Sequence, residues 1–402
     1  MCMKILRVTS LGCGGGGAET GIVSLQPVLE SMGHTVRTLA SDCGTQNTPH
    51  FNTYSFAALS RQPFVLKPFY RAFYPASYRA LSRVLDEYRP DIVQLHTLYE
   101  VSPSVLFALR RYPTVATIHG AEDYTKSLFL WALPARFFRA GVPTDSVRDL
   151  TGVGWLHYLY NQLVMRPVYR VGLRAVDVFV VMSEFMRSLM LREGVRSVCI
   201  PNACALFDPV PVDPSGATIL YAGRLEQIKG VHDLIMALPV IRVSRPDATL
   251  VVVGTGPYEG ELRKLAASLG VAEYVRFTGF LERDALRTWY ERATVVAMPS
   301  LWPEPFGKVG IEAMSVGRPV VATDVGGVRE WLADGETGYL VRAHDPAHLA
   351  GRITELLTDT AVLVRMGANA AVRARDFSLD VYARRIVALY EHVIASSRKH
   401  DR

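Results

Sequence analysis

Two glutamates eight residues apart, Glu304 and Glu312 in "PEPFGKVGIE", are the first residues whose type and spacing suggest chemistry. On one helix, a 3.6-residue period would set them about 80° apart, so the spacing does not describe a converging acid/base pair. Pro303 and Pro305 instead hold Glu304 in a loop, and Glu312 falls just inside a helix. "YAGRLEQIKG" supplies the opposite charge: Arg224 and Lys229, five apart and flanked by glycines, follow an apolar strand. Two cations there can clamp a diphosphate as it becomes a leaving group. Taken alone, they read equally well as solvated surface charges. A third segment, "GCGGGGAE" at 12–19, lies between a strand and a helix, and Gly12, Gly14 and Gly17 satisfy G-x-G-x-x-G. The helix start behind it favours an anion. Five glycines in six positions fit almost any glycine pattern, so the loop indicates anion approach and not nicotinamide chemistry in particular. Asp42 would be the ribose-binding acid only on the dinucleotide reading. No Asp-x-Asp occurs in the chain, so the usual metal-bridging diphosphate pattern is missing.

These residues need strands that end beside one another. The first half alternates apolar runs with helical stretches: "KILRVTS", "TVRTLAS", "DIVQLH", "TVATIHG", "DVFVVMSE" and "SVCIPN". The second half restarts with "TILYAGRL", "ATLVVVGTGP", "VRFTGFL", "TVVAMPS", "PVVATDVGG" and "GYLV". Such strand-helix alternation, twice over, predicts two doubly wound α/β domains with buried parallel sheets. The expected boundaries are 1–203, a proline-rich linker at 204–216, a second domain at 217–375, and a helix and tail at 376–402. That last helix reads as a cover, packing back on the first domain. In open α/β sheets ligands bind beyond the carboxyl ends of the strands, and two facing domains place the site in the cleft between them.

Composition sets the outer limits. At 402 residues, nearly half apolar and a fifth charged, the chain suits a soluble protein with more than one core. No apolar run approaches the length that spans a bilayer, and Lys4 and Arg7 interrupt the amino-terminal stretch, which does not read as a signal peptide. Five cysteines without paired Cys/His spacing argue against a disulfide framework and a zinc site, and for a reduced, cytoplasmic protein. The net charge of +6 lies in the first half: residues 1–210 carry 21 Lys/Arg against 15 Asp/Glu, the remainder 23 of each. No acid occurs between Asp42 and Asp86, a stretch that holds five cations and nine Phe/Tyr residues. Residues 51–85, with a second aromatic and basic region at 127–174, read either as packing with solvated arginines or as contact with an anionic membrane surface. Nucleic acid is not expected as a partner, since no recognised binding module appears.

"GRLEQIKG", "VVVGTGPYEGELRKLAASLGVAEYVRFTGFL", "MPSLWPEPFGKVGIEAMSVGRPVVATDVGGVREWL" and "DGETGYLV" come in a set order at set intervals. Together they resemble the retaining, nucleotide-sugar-dependent glycosyltransferases of family 4, which have the GT-B fold of two Rossmann-like domains facing across a cleft. The likeness is dense over 217–345 and thinner upstream, where "GGGAET", "TIHG" and "IPNACALFDP" carry it.

The resemblance implies roles residue by residue. Arg224 and Lys229 match the pair that grips the donor diphosphate, and Gly16 and Gly17 the glycines whose backbone lies against it. Glu304 matches the acid that accepts hydrogen bonds from the transferred sugar. Phe306, Gly307 and Lys308 follow in the same loop with backbone amides facing sugar and phosphate. Glu312 matches the ribose-binding acid, His119 the histidine near the reacting sugar, and Leu281 the position lining the base. Gly310, with Gly307, is expected to let backbone approach closely.

The expected partners are a nucleotide-sugar donor and a carbohydrate or lipid-linked acceptor, with no metal and no cofactor. The chain departs from the family pattern at Ala203, Ala205 and Thr20, and Pro27 is expected to bend the first helix. Without the resemblance, Glu304 reads as a solvated loop acid, Glu312 as an acid favouring a helix dipole, and His119 as a buried structural histidine. A sugar-nucleotide epimerase, a non-catalytic relative and a dehydrogenase resting on the glycine loop are the rival readings.

Overall fold

The computed structural model describes residues 2–12, 17–42, 51–98, 100–119, 160–192 and 194–397. Gly16 and most of the expected 127–174 membrane region lie outside these residues. The chain divides into two compact units, Met1–Pro201 with Tyr382–Arg402, and Asn202–Val381.

The first unit is built on seven strands: β1 (Lys4–Leu11), β2 (Thr35–Ser41), β3 (Tyr54–Phe56), β4 (Ile92–Leu95), β5 (Thr114–Ile118), β6 (Val178–Val181) and β7 (Ser197–Cys199). They pair in parallel in the order β3-β2-β1-β4-β5-β6-β7. Because side chains alternate across a strand, one residue set faces each side. Ile5, Val36, Ile92, Val115 and Val180 pack against Leu25 and Leu29 of the helix Gly17–Ser31 and against Ile386, Tyr390 and Val393 of the last helix, Leu379–Ser397. Leu6, Val8, Leu39, Val93, Leu95, Ala116 and Ile118 face the other way, onto Leu81 and Leu85 of the helix Pro75–Tyr88. Both faces are covered, as a parallel sheet requires. Pro27 sits inside the first helix without ending it. Arg7 is the exception on this sheet: fully buried, it donates Nη1 to Ile22 O at 2.7 Å, while Nε and Nη2 find no protein partner.

The second unit has six parallel strands in the order β10-β9-β8-β11-β12-β13. They are β8 (Thr218–Ala222), β9 (Thr249–Val253), β10 (Val275–Gly279), β11 (Val295–Met298), β12 (Val320–Thr323) and β13 (Gly338–Val341). Ile219, Tyr221, Leu250, Val252, Val295 and Val321 form its core with Leu234, Ile235, Leu238 and Ile241 of the helix Val231–Ser244 and with Leu349, Ile353 and Leu356 of the helix Pro346–Thr358. Burying one such aliphatic side chain stabilises the fold by about 1.5–3 kcal/mol.

Residues 204–216, expected as a linker, are held along this unit. Phe207 N donates to Ser315 Oγ at 3.1 Å, and Val210 N to Val316 O at 3.1 Å. Arg318, also fully buried, is surrounded by carbonyls: Nε donates to Tyr290 O at 3.1 Å, Nη1 to Val210 O at 2.7 Å and Nη2 to Glu291 O at 2.7 Å. One guanidinium thereby ties the chain before β8 to the helix Arg283–Arg292.

Candidate functional site

In the second unit the chemistry collects at the carboxyl ends of the parallel strands. β8 leads into Gly223-Arg224, then a 3₁₀ turn at Gln227–Lys229. β11 leads into the loop that carries Ser300 and Glu304. Leu301 N and Trp302 N both donate to Ile228 O, at 2.8 and 3.1 Å, joining the two loops backbone to backbone. This brings Lys229 Nζ to 2.7 Å from Glu304 Oε1. Ser300 Oγ donates to the same oxygen at 2.6 Å, and Thr323 Oγ1 in turn donates to Ser300 O. Glu304 is only 9% exposed, so a carboxylate here needs this cation and this hydroxyl. Behind it, Gly327 N donates to Glu304 O at 2.8 Å. A Cβ at Gly326 would stand 2.1 Å from that oxygen, and its φ of +58° also suits glycine. Glu304 is therefore a clamped acid and not a solvated one.

Arg224 lies on the surface of the same strand end and pairs with Glu226 at 3.2 Å. Leu281 follows β10 and the exposed Phe280, in the loop before the helix Arg283–Arg292.

The helix Lys308–Ser315 begins immediately after Gly307, so Lys308 is its first residue. Phe306 is buried, with its carbonyl accepting from Trp331 Nε1 at 2.5 Å. Two expectations change here. The space beside Gly310 belongs to Trp331, whose ring a Cβ would meet at 2.0 Å, so this glycine admits an indole and not a ligand. Glu312 is not an early-turn acid: the first turn holds none, and the carboxylate sits a full turn in. Its Oε2 accepts from Tyr290 OH at 3.1 Å. Burial pushes the Glu312 carboxyl above its ordinary value, against the Tyr290 hydroxyl and the charges of Lys308 and Arg283. Glu304 and Glu312 thus have separate partners. Arg283 Nη2 donates to Ala205 O at 2.8 Å, a backbone contact that the alanine at 205 leaves intact.

In the first unit, Gly17 opens the helix Gly17–Ser31 at the end of the glycine loop. His119 follows β5, and its Nε2 lies 2.8 Å from Nδ1 of His96, which follows β4. Hydroxyls fill the neighbouring strand ends: Thr9 Oγ1 and Thr97 Oγ1 are 3.0 Å apart, and Ser10 Oγ accepts from Glu100 N at 3.1 Å. Asp42 accepts from Ala58 N at 2.8 Å and pairs with Arg61 at 3.1 Å, so its carboxylate holds the following loop. Among the described residues, no three His, Cys, Asp or Glu side chains gather as metal ligands would.

His96, Ser300, Tyr290 and Gly326 escaped the sequence reading. For His96 the signal was present, since "DIVQLH" ends as "TVATIH" does. For Tyr290, a helical aromatic, nothing in the sequence points to a carboxylate 22 residues on.

The aromatic stretch at 51–85 divides. Phe56 and Tyr74 are core, while Phe64, Val65 and Phe69 are 87%, 76% and 71% exposed, and Arg61, Arg71, Arg79 and Arg83 of the same stretch are also exposed. Leu163, 72% exposed, belongs to the segment Asn161–Met165 that lies against the helix Lys67–Ala72. Among the described residues no helix is long and apolar enough to cross a membrane.

Residues 206–373 match the family model "Glycosyl transferases group 1", and residues 15–206 the model "Glycosyltransferase Family 4". The chain is 30% identical over 395 residues to a phosphatidyl-myo-inositol mannosyltransferase of Mycobacterium leprae, covering 96% of this chain and 95% of that one. It is 38% identical over 199 residues to a D-inositol 3-phosphate glycosyltransferase of Streptomyces avermitilis, a match that spans 47% of this chain and 43% of that one. The solved structure of Anabaena HepE in complex with UDP and glucose shares the fold at a TM-score of 0.68 and 22% identity, over 97% of this chain and 100% of that one.

Proposed function

This chain belongs to the family 4 glycosyltransferases of GT-B fold, and we propose that it moves a sugar from a nucleoside diphosphate to a hydroxyl acceptor with retention at the anomeric carbon. The observation that supports this most is the Lys229–Glu304 pair at the strand ends of the second unit, with Arg224 alongside. An ammonium has three N–H donors, so Lys229 can keep Glu304 and still serve an anion. In the proposed reaction the bond from the anomeric carbon to the diphosphate oxygen breaks, and the electron pair leaves with the nucleotide. Arg224, Lys229 and the amides at Gly307 and Lys308 offset that charge. Glu304 accepts from hydroxyls of the sugar, and Glu312 from the ribose. The acceptor oxygen bonds to the same face of the anomeric carbon, and its proton passes to the departing phosphate. Gly16 and Gly17 approach the diphosphate, Leu281 lines the base, and His119 serves the reacting sugar. With two cations carrying the leaving-group charge, the proposal includes no metal and no cofactor.

Incubation with a panel of sugar nucleotides and hydroxyl acceptors tests the reading, with release of nucleoside diphosphate and a glycosylated product expected. Interconversion of the sugar nucleotide without release would indicate an epimerase, and binding without either a non-catalytic relative.

A lipid-linked acceptor, in surface polysaccharide, glycolipid or glycoconjugate assembly, is the finer proposal. The exposed Phe64, Val65 and Phe69 among arginines favour a cytoplasmic enzyme that attaches peripherally to an anionic membrane face. The phosphatidyl-myo-inositol mannosyltransferase likeness points the same way. Vesicles containing anionic lipid should bind the protein at low salt and release it as salt rises; no binding at low salt removes this part.

A further inference from the structure

Histidine at position 96 is a poor choice for stability. The residue is 4% exposed, and its Nε2 is buried without a hydrogen-bond partner. An unmet buried nitrogen is destabilising, and an apolar side chain of similar size would avoid that cost. The ring's one hydrogen bond is the 2.8 Å contact to His119 Nε2. The two rings stand 5.1 Å apart between centroids and are tilted by 34°. We propose that His96 is a positioning residue for His119, holding that imidazole with Nε2 turned toward β4. The inference rests on the reading above that His119 serves the reaction.

The setting makes His96 a rigid anchor. In the paired strands, Gln94 of β4 faces the same side as His96, and Thr117 of β5 the same side as His119. Gln94 Nε2 donates to Thr117 Oγ1 at 3.0 Å, and Tyr390 OH of the last helix donates to Gln94 Oε1 at 2.5 Å. Strands β4 and β5 are thus pinned one step below the two histidines. The charged or titratable neighbours that bear on His96 are His119 from β5 and Arg7 from β1. Burial first, then these two, hold the His96 imidazole well below its ordinary value, so it stays neutral. A ring fixed in one charge state can orient a neighbour but is no proton shuttle.

The test compares His96→Leu, His96→Asn, His119→Ala and the double variant His96→Leu/His119→Ala, using whichever sugar nucleotide the protein turns over. His96→Leu should lower kcat about tenfold with donor KM within about twofold, since a small misplacement of a reacting group carries that order of loss. His96→Asn, whose amide reaches the place of Nδ1, should recover to within about threefold. The double variant should be no slower than His119→Ala alone; losses that multiply overturn the inference. If His119→Ala turns over at the unaltered rate, His119 has no part in the reaction, and positioning is then judged without activity. In protein with ¹⁵N-labelled histidine, His96→Leu should move the His119 imidazole resonances while the melting temperature holds. Unmoved His119 resonances overturn the inference whatever the rates show.

Discussion

The carboxyl ends of the two sheets are built from the same strand-and-loop grammar but from different forces. In the second unit the strand end is charged: Lys229 faces Glu304, Arg224 faces Glu226, and a serine and a backbone amide complete the clamp. In the first, the ends of β1, β4 and β5 carry two histidines joined at 2.8 Å and the hydroxyls of Thr9, Ser10 and Thr97. The buried arginines follow the opposite rule. Arg318 in the second unit has carbonyls on every side, whereas Arg7 in the first has one. On the proposed reaction, strand ends that offset a leaving diphosphate need preorganised charge, and the second unit supplies it.

That contrast can be broken at several points. Lys229→Ala should cut turnover about 10³-fold with the fold retained, while His119→Ala costs about 30-fold, both read as kcat with the substrate that gives release. Near-normal transfer by Lys229→Ala would remove the phosphate clamp, and equal losses would erase the distinction between the two ends. In urea unfolding, Arg318→Met should lose about 3 kcal/mol because it orphans several buried carbonyls. Arg7→Met should change stability by less than about 1 kcal/mol, since it also removes two unmet donors.

Glu312 gives a pH test. Its folded value is raised above the ordinary 4.5, so the folded state holds the proton more tightly than the unfolded one. The stability this contributes is present in acid and is lost as pH rises through the raised value. Glu312→Gln should therefore melt higher than the unaltered protein near neutrality, with the gap closing as pH falls toward 4.5. A gap independent of pH would mean burial does not hold that carboxyl up. The smallest effect is Tyr290→Phe, which removes one hydrogen bond to Glu312 and should raise donor KM about threefold, with kcat unchanged.

Much of this molecule was legible because its signals are local. Short apolar runs that end in polar residues and alternate with helical stretches read as buried parallel strands, and their polar ends marked Arg224, Lys229, His119 and the Glu304 loop. The order of the motifs from 217 to 345 carried the family. What stayed hidden depends on residues distant in the chain. Lys229 and Glu304 are 75 positions apart, His96 and His119 are 23 apart, and Tyr390 reaches Gln94 across 296. The amino-acid sequence by itself determined two parallel α/β units and which residue types stand at their strand ends, since alternation and spacing are properties of consecutive residues. Only the tertiary structure decided that Glu304 is held by Lys229 and Ser300, that Glu312 answers to Tyr290, and that Gly310 makes room for Trp331. Those pairings follow from strand order and loop crossing, which no single segment encodes.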